Sequence, residues 1–308
     1  MINFIKKFIK SYIRNKQFMT GLSHILKIRQ NYNNIQMLSD VDFRIFSQNG
    51  EDGILDYLLY QINIEKPKFL EIGVGNYSEA NTKFIFDRVS SKGFIIDFIN
   101  DFESEVKKNT KYWKGDLTII NEKVDSINIS RILEHHTILK DLDLFSLDID
   151  GIDYWILNEM PKDFSKIVVL EYNPTFGNKF DITVPNLKDF NRKDYHYSHL
   201  CYGMSVQAAI NLMKKKNFYF IGVNLMRNNA FFVSNKYPKE KFFKNLNIPK
   251  INTIDNSNFR ESRDKTGKLN YLTGNNKIQK IADCEVINLK DGKNVKIKIS
   301  NLLNENSI

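Results

Sequence analysis

Phe69-Leu70-Glu71-Ile72-Gly73-Val74-Gly75-Asn76 sets an acid and two closely spaced glycines at the end of an apolar run. Glycine lacks Cβ, so the chain there turns tightly and comes close to a ligand. A helix that follows presents unpaired amides at its start. Dinucleotide sites of this design carry a further glycine three residues on; here that position is Ser78. Glu71 is a poor neighbour for a pyrophosphate and a good one for an amino group or a sulfonium. The segment therefore reads as a site for S-adenosylmethionine rather than NAD, with Glu71, Gly73, Gly75 and Asn76 at the cofactor.

A second apolar run, Gly93-Phe94-Ile95-Ile96, ends in Asp97, about 20 residues after Gly75. Rossmann-like sites use an acid there to accept hydrogen bonds from ribose hydroxyls. The plainer role is a carboxylate ending a strand or capping the helix that starts near Asn100. Two more runs end in Leu147-Asp148-Ile149-Asp150-Gly151-Ile152-Asp153 and Leu170-Glu171-Tyr172-Asn173-Pro174. Ligands of parallel sheets gather outside the carboxyl ends of strands, and Asp148 and Asp150 point to one side of an extended chain. Either is a candidate base. Asp150, Glu171 and Asn173 are candidate oxygen ligands for Mg²⁺, which would hold a substrate hydroxyl and lower its pKa. Asp153 has the alternative role of a helix cap.

His199, in Tyr195-His196-Tyr197-Ser198-His199, is a further candidate base, because imidazole exchanges protons near neutral pH. His135 and His136 read as surface residues late in a helix. Ser47-Gln48-Asn49-Gly50-Glu51-Asp52-Gly53 is either a polar flap over the ligands or a turn with a helix cap.

The elements that must hold these residues alternate. Strands are expected at Lys68–Ile72, Gly93–Ile96, Leu117–Ile120, Leu142–Leu147, Ile167–Leu170, Tyr219–Val223 and Ala230–Val233, with helices over 50–62, 78–90, 100–112, 124–136, 152–160 and 203–216. Such alternation predicts parallel βαβ units, a Rossmann-like α/β sheet. The link Asn224–Asn229 is too short for a helical crossover, so the last two strands should pair antiparallel at one edge. Three parts are expected: a basic amphipathic helical segment over 1–40, the Rossmann-like domain over 41–235, and an extension over 236–308. In the extension, Pro238, Pro249 and Asn252–Asn258 read as loop, and Glu285–Leu289 with Asn294–Ile299 as a hairpin about Asp291–Gly292. It reads as an appended unit, not a second catalytic domain.

In the N-terminal segment Ile2, Ile5, Phe8, Ile9, Tyr12 and Ile13 fall at helical spacing among Lys6, Lys7, Lys10 and Arg14. That helix would pack on the main domain or a second subunit, or lie on an anionic membrane surface from the cytoplasmic side. The 308 residues are 42% hydrophobic and 26% charged, with enough apolar mass for one large domain and no apolar run of the roughly 20 residues needed to span a bilayer. The formal charge of +9 favours anions, yet no compact basic-aromatic cluster marks a nucleic-acid site. Wealth in Lys, Asn, Ile and Phe points to an AT-rich, bacterial genome. The start lacks a secretory cleavage site, and two distant cysteines, Cys201 and Cys284, indicate neither a disulfide framework nor a zinc cluster, so a reducing cytoplasm is expected.

Taken in order, residues 47–53, 71–75, Leu147–Tyr154, Leu170–Pro174 and Tyr202–Ser205 resemble the FkbM-type methyltransferases, and Asn229–Val233 and Glu261–Asp264 continue the likeness. The resemblance spans about 45 to 265. It implies a class I methyltransferase fold, with Glu71, Gly73 and Gly75 holding the methionine portion of S-adenosylmethionine and Asp97 its ribose. It also implies an acceptor among sugars, glycans or natural products. Relatives often carry acid-x-Asn or acid-x-Asp after the second strand, where this chain has Asp97-Phe98-Ile99-Asn100. Two rival readings are metal-dependent transfer from a nucleotide sugar on Asp148 and Asp150, and a non-catalytic, membrane-associated binding protein.

Overall fold

The computed structural model describes residues 2–254 and 259–305, the side chains of 2–8, 10, 11 and 305 excepted. The expected loop Asn252–Asn258 therefore lies partly outside the described residues, as do the side chains of Ile2, Ile5, Phe8, Lys6, Lys7 and Lys10. The strands are β1 (Phe69–Ile72), β2 (Lys92–Asp97), β3 (Asp116–Asn121), β4 (Leu144–Leu147), β5 (Ile167–Glu171), β6 (Ile182–Thr183), β7 (Phe218–Val223), β8 (Asn229–Ser234), β9 (Glu285–Asn288) and β10 (Val295–Lys298). The helices that matter below are α1 (Ile2–Arg29), α2 (Glu51–Gln61), α3 (Lys83–Val89), α4 (Phe102–Asn109), α5 (Ile129–His135), α6 (Asp153–Glu159), α7 (Arg192–Tyr195) and α8 (Val206–Lys215).

Seven strands form one sheet in the order β3-β2-β1-β4-β5-β8-β7. β1 to β5 pair parallel, and β8 enters antiparallel between β5 and β7. This is the Rossmann-like sheet with an antiparallel edge hairpin expected from the sequence. Side chains alternate across it. Leu70, Ile72, Phe145, Leu147, Val168 and Leu170 are buried on one face with Ile132 of α5, Ile156 of α6 and Leu212 of α8. Phe69, Ile95, Leu144, Ile167 and Val169 are buried on the other with Leu55 of α2, Ile85 of α3 and Val106 of α4. Each such side chain contributes about 1.5–3 kcal/mol on leaving water. Burial on both faces is why these strands read as continuous apolar runs.

The β1–β4 chain reverses direction at the sheet's centre: connections from β1 run outward to β2 and β3, and those from β4 run outward to β5. That switch point opens a crevice at the carboxyl ends of β1 and β4, where ligands bind in such sheets.

The N-terminal helix packs on the main body through its second half. Ile25 is buried, Gly21 lies against Ile45, and Arg29 bonds Asp56 at 2.6 Å. Ile9, Tyr12, Ile13 and Met19 stay exposed. Among the described residues no helix is long and apolar enough to cross a membrane. The β9–β10 hairpin pairs with β6 of the main body. Ile281, Val286, Leu289 and Ile299 of the extension are buried in the same cluster as Leu147 and Leu170. The two cysteines, distant in sequence, come together where this extension meets the main body.

Candidate active site

The carboxyl end of β1 is built around Glu71. Its Oε1 accepts from the Asn81 amide at 2.8 Å, and its Oε2 from the Thr82 amide at 2.9 Å and the Thr82 hydroxyl at 2.5 Å. These bonds fold residues 73–82 into a loop that lines a polar cavity with Glu71, Gly73, Gly75, Asn76 and Asp148 on its wall. Burial pushes the Glu71 carboxyl up to about 7, against the pull of those three donors. A positive ligand in the cavity would reverse that shift. Asn76 shapes the loop: its Oδ1 accepts from the Ser78 amide and hydroxyl, and its carbonyl from Asn109.

The two glycines do different things. Gly73 has φ +87°, and a Cβ there would lie 1.6 Å from the Asp148 carbonyl oxygen. The close approach is thus to the backbone of the neighbouring strand end, not to a ligand. Gly75 has φ +54° and nothing within 4 Å of where its Cβ would be. Open space in front of it is the cradle a ligand needs.

Asp97 ends β2 beside this loop. Its Oδ2 accepts from the Gly75 amide and its Oδ1 from the Phe98 amide, each at 2.6 Å. Burial raises its pKa, opposed by the amides of Phe98, Gly75 and Val74. A carboxylate has about four lone-pair positions, so acceptor capacity remains for hydroxyls. Asp97 is on the wall of a second cavity, about 140 Å³, lined by Ile96, Phe98, Val124, Ile149 and Phe190 among others. These apolar walls suit the faces of a flat heterocycle. Phe98, the departure noted in the sequence, is a largely exposed ring on that wall.

A third cavity, about 490 Å³, opens between the ends of β4 and β5. Asp148 and Glu171 are hydrogen-bonded carboxyl to carboxyl, which requires a shared proton. Burial raises both well above the carboxylate range; the charge of Asp150 adds to this at Asp148, where the bond from Glu171 opposes it, and the charges of Asp148 and Asp150 add to it at Glu171. Asp150 sits at φ +54° and pairs with Arg192 of α7 at 2.6 Å; burial raises its pKa and Arg192 opposes that. Arg192 also lies 3.6 Å from Glu261. Gly73 lines all three cavities, Asp97 links the second to the third, and Gly75 and Asp148 link the first to the third. The result is one continuous trough.

The 47–53 motif proves to be a flap and a turn, with Gly50 at the helix start and no side-chain cap. Gln48 and Asn49 line the trough. Glu51 is buried, accepting from the Asn49 amide, Asn224 Nδ2 and Asn229 Nδ2, so it ties the flap to the β7–β8 turn. Asp52 Oδ2 accepts from the amides of Ile45, Phe46 and Ser47. These two acids carry the motif; their sequence signal was only two carboxylates at a helix start.

Three expectations change. Asn173 is not available as a metal ligand: it is fully buried, its Nδ2 donates to the carbonyls of Leu200 and Tyr202, and its Oδ1 accepts from Thr175. Its task is to hold the 200–202 segment. His199 does not line the third cavity; it sits among Arg192, Arg263 and Glu261, and burial and those guanidiniums lower its pKa. Asp153, at the start of α6, accepts from the amides of Ile149 and Gly151 and so fixes the β4–α6 turn. Arg192, Glu261 and Phe190 line the trough but carry no local signal in the sequence.

A family model described as "Methyltransferase FkbM domain" matches residues 12–218. No curated protein matches the chain. Solved structures similar to it include the pyocyanin biosynthetic protein PhzM, at 14% identity and TM-score 0.35, covering 57% of this chain and 52% of that one. An O-methyltransferase family protein from Burkholderia thailandensis has 9% identity and TM-score 0.34, covering 54% and 50%. Human N-acetylserotonin methyltransferase, in complex with SAM, has 11% identity and TM-score 0.32, covering 71% and 55%. The chain spans about half the length of these structures.

Proposed function

This chain belongs to the FkbM methyltransferase family, and on that premise we propose that it transfers the methyl group of S-adenosylmethionine to a hydroxyl of a sugar, glycan or related small molecule. The observation that carries the reading is the continuity of the trough from Phe98 and Asp97, past Gly73 and Gly75, to Asp148, Asp150 and Glu171. The cradle at Gly75 is the fit for the cofactor.

When bound, S-adenosylmethionine supplies a methyl group already activated on a sulfonium sulfur. The chain then has to bind, align and deprotonate. Asp97 would accept from the ribose hydroxyls, and Glu71, on the wall of the polar cavity, would hold the positive end. Asp148 would accept the proton of the acceptor hydroxyl and so make its oxygen nucleophilic. Glu171, hydrogen-bonded to Asp148, holds the second proton of the pair and orients it. Five acidic side chains, Asp97, Asp148, Asp150, Glu171 and Glu261, line the third cavity against one guanidinium, Arg192. Hydroxyl-rich acceptors donate well to such a wall, and anionic ones are repelled. Transfer from a nucleotide sugar fits it poorly for the same reason.

Calorimetry with S-adenosylhomocysteine tests the premise: saturable binding at one site is expected, and no heat at about 1 mM ligand would sink it. A second reading keeps Mg²⁺ on the same wall, because Asp148, Asp150 and Glu171 bring carboxylate oxygens within 4.8 Å of one another. Its check is turnover after chelation: loss with EDTA and recovery with Mg²⁺ supports the ion, and unchanged turnover removes it. The exposed Ile9, Tyr12, Ile13 and Met19 of α1 support peripheral contact with an anionic membrane. Tyr12→Glu with Ile13→Glu should abolish co-sedimentation with anionic vesicles if that contact is real.

A further inference from the structure

The chain has only two cysteines, and they meet. Cys201 and Cys284 are both buried, their thiols in hydrogen-bonding contact and not joined as a disulfide. His196 lies beside them, its Nε2 3.7 Å from Asp283 Oδ1. Ligand atoms of His196, Asp283 and Cys284 all fall within 4.8 Å of one another, and Asp283 also faces Cys201. One thiol, an imidazole and a carboxylate thus converge on one point, with the second thiol, Cys201, beside Cys284. None of the four lines the trough.

We propose that Cys284, His196 and Asp283 bind one zinc ion, with the neighbouring Cys201 thiol closing in as the fourth ligand. The donor types are those of four-coordinate zinc, and a set made up wholly of protein groups leaves no open position, so the site is structural. His196 is prepared for it: Nδ1 is 2.7 Å from the Ser198 hydroxyl, which orients the ring and leaves Nε2 on the side of Asp283. Charge also closes. Two thiolates and a carboxylate exceed a divalent ion by one negative charge, and Lys280, which faces His196, offsets it. Asp283 is the exposed member and gives the ion its entry from solvent.

The position explains what the ion is for. His196 and Cys201 belong to the segment after α7; Asp283 and Cys284 lie just before β9. The ion clasps the C-terminal extension to that segment. The next residue, Tyr202, carries the Arg192 guanidinium over its ring at 5.1 Å, and Arg192 pairs with Asp150. The clasp therefore holds the segment on which Arg192 rests, and Arg192 lines the third cavity. The inference stands independently of the acceptor, since it concerns a different set of side chains.

The test uses the full chain. Purified without chelator and desalted, it should carry about one zinc per chain by elemental analysis, and the Cys201→Ser/Cys284→Ser double variant should carry none. Because that variant risks misfolding, the wild-type chain is also stripped of metal and titrated with Co²⁺ alone. A thiolate-to-cobalt charge-transfer band with tetrahedral visible absorption, saturating at one equivalent and abolished by zinc, is expected. His196→Ala should weaken zinc by more than the roughly 10–100-fold typical of losing a residue that merely orients a ligand. Absence of a thiolate band in folded wild-type chain overturns the proposal. So does a Cys201–Cys284 disulfide in freshly purified protein mapped under non-reducing conditions.

Discussion

The amide of Gly75 donates a 2.6 Å hydrogen bond to Oδ2 of Asp97, joining the loop after β1 to the end of β2. The two halves of the proposed cofactor site are thereby latched before any ligand arrives. Asp97→Asn keeps one acceptor for Gly75 and loses the charge; Asp97→Ala loses both. Hydrogen bonds to a charged group are worth about 1.5–3 kcal/mol each. Affinity for S-adenosylhomocysteine should therefore fall about 10-fold in the first variant and about 100-fold or more in the second. Calorimetry measures it, and equal affinity in all three proteins would remove Asp97 from the site.

Asp150 and Arg192 should move the pH dependence of turnover in opposite directions. The charge of Asp150 raises Asp148 and Glu171, whereas Arg192 opposes that rise. Asp150→Asn removes a negative neighbour, so the carboxyl pair ionises more easily and the acid limb of log kcat shifts to lower pH. Asparagine also tolerates the positive φ of this position, so the backbone is spared. Arg192→Gln removes a positive neighbour, and the limb shifts to higher pH. Shifts of the same sign in both variants would show that the pair is not the group titrating in kcat.

The fold was legible because burial on both faces writes each central strand as an apolar run, and β1 to β5 begin and end close to the expected residues. Helix starts were less so. The helix expected over 78–90 begins only at Lys83, because the amides of Asn81 and Thr82 are taken by Glu71. A side chain ten residues back decides that boundary, which local periodicity does not register. The strand-end acids Asp97, Asp148, Asp150 and Glu171 were visible since each closes an apolar run. Arg192, Glu261 and Phe190 were not, because they reach the trough from long loops beyond β5. Cys201 and Cys284 were read as unrelated for the same reason: sequence distance says nothing of proximity created by a hairpin that pairs with β6 in a second, small sheet.

Stability should fall as the pH rises from about 5 to about 8. Burial pushes Asp42, Asp52 and Asp153 up to about 6 and Glu71 up to about 7. A carboxyl whose folded pKa lies above its unfolded value of about 4 binds its proton more tightly when folded. Its stabilisation is complete below the unfolded pKa and is lost as pH climbs through the folded one. Urea midpoints at pH 5, 6, 7 and 8 measure this, with the steepest loss expected between 5 and 7. A midpoint that climbs across that range would mean the amides around Asp52 and Glu71 outweigh their burial.

Alanine at the two glycines of the β1 loop should separate folding from binding. Gly73 stands at φ +87° with the Asp148 carbonyl 1.6 Å from any Cβ. That oxygen is backbone, held by the β1–β4 pairing through Asp148 N to Ile72 O at 3.0 Å, so it has nowhere to move. Gly73→Ala must break the strand-end contact and should lower the melting temperature sharply or prevent folding. Gly75 also has a positive φ, +54°, but its Cβ meets nothing within 4 Å. Gly75→Ala therefore costs only the left-handed backbone penalty, about 1–2 kcal/mol. The folded protein survives with a methyl group standing in the cradle. Affinity for S-adenosylhomocysteine should drop by at least about 10-fold while the unfolding midpoint shifts by only a few degrees. If Gly75→Ala bound the ligand as tightly as the parent, the space before Gly75 would not be where the cofactor lies, and the direction of the trough would have to be redrawn.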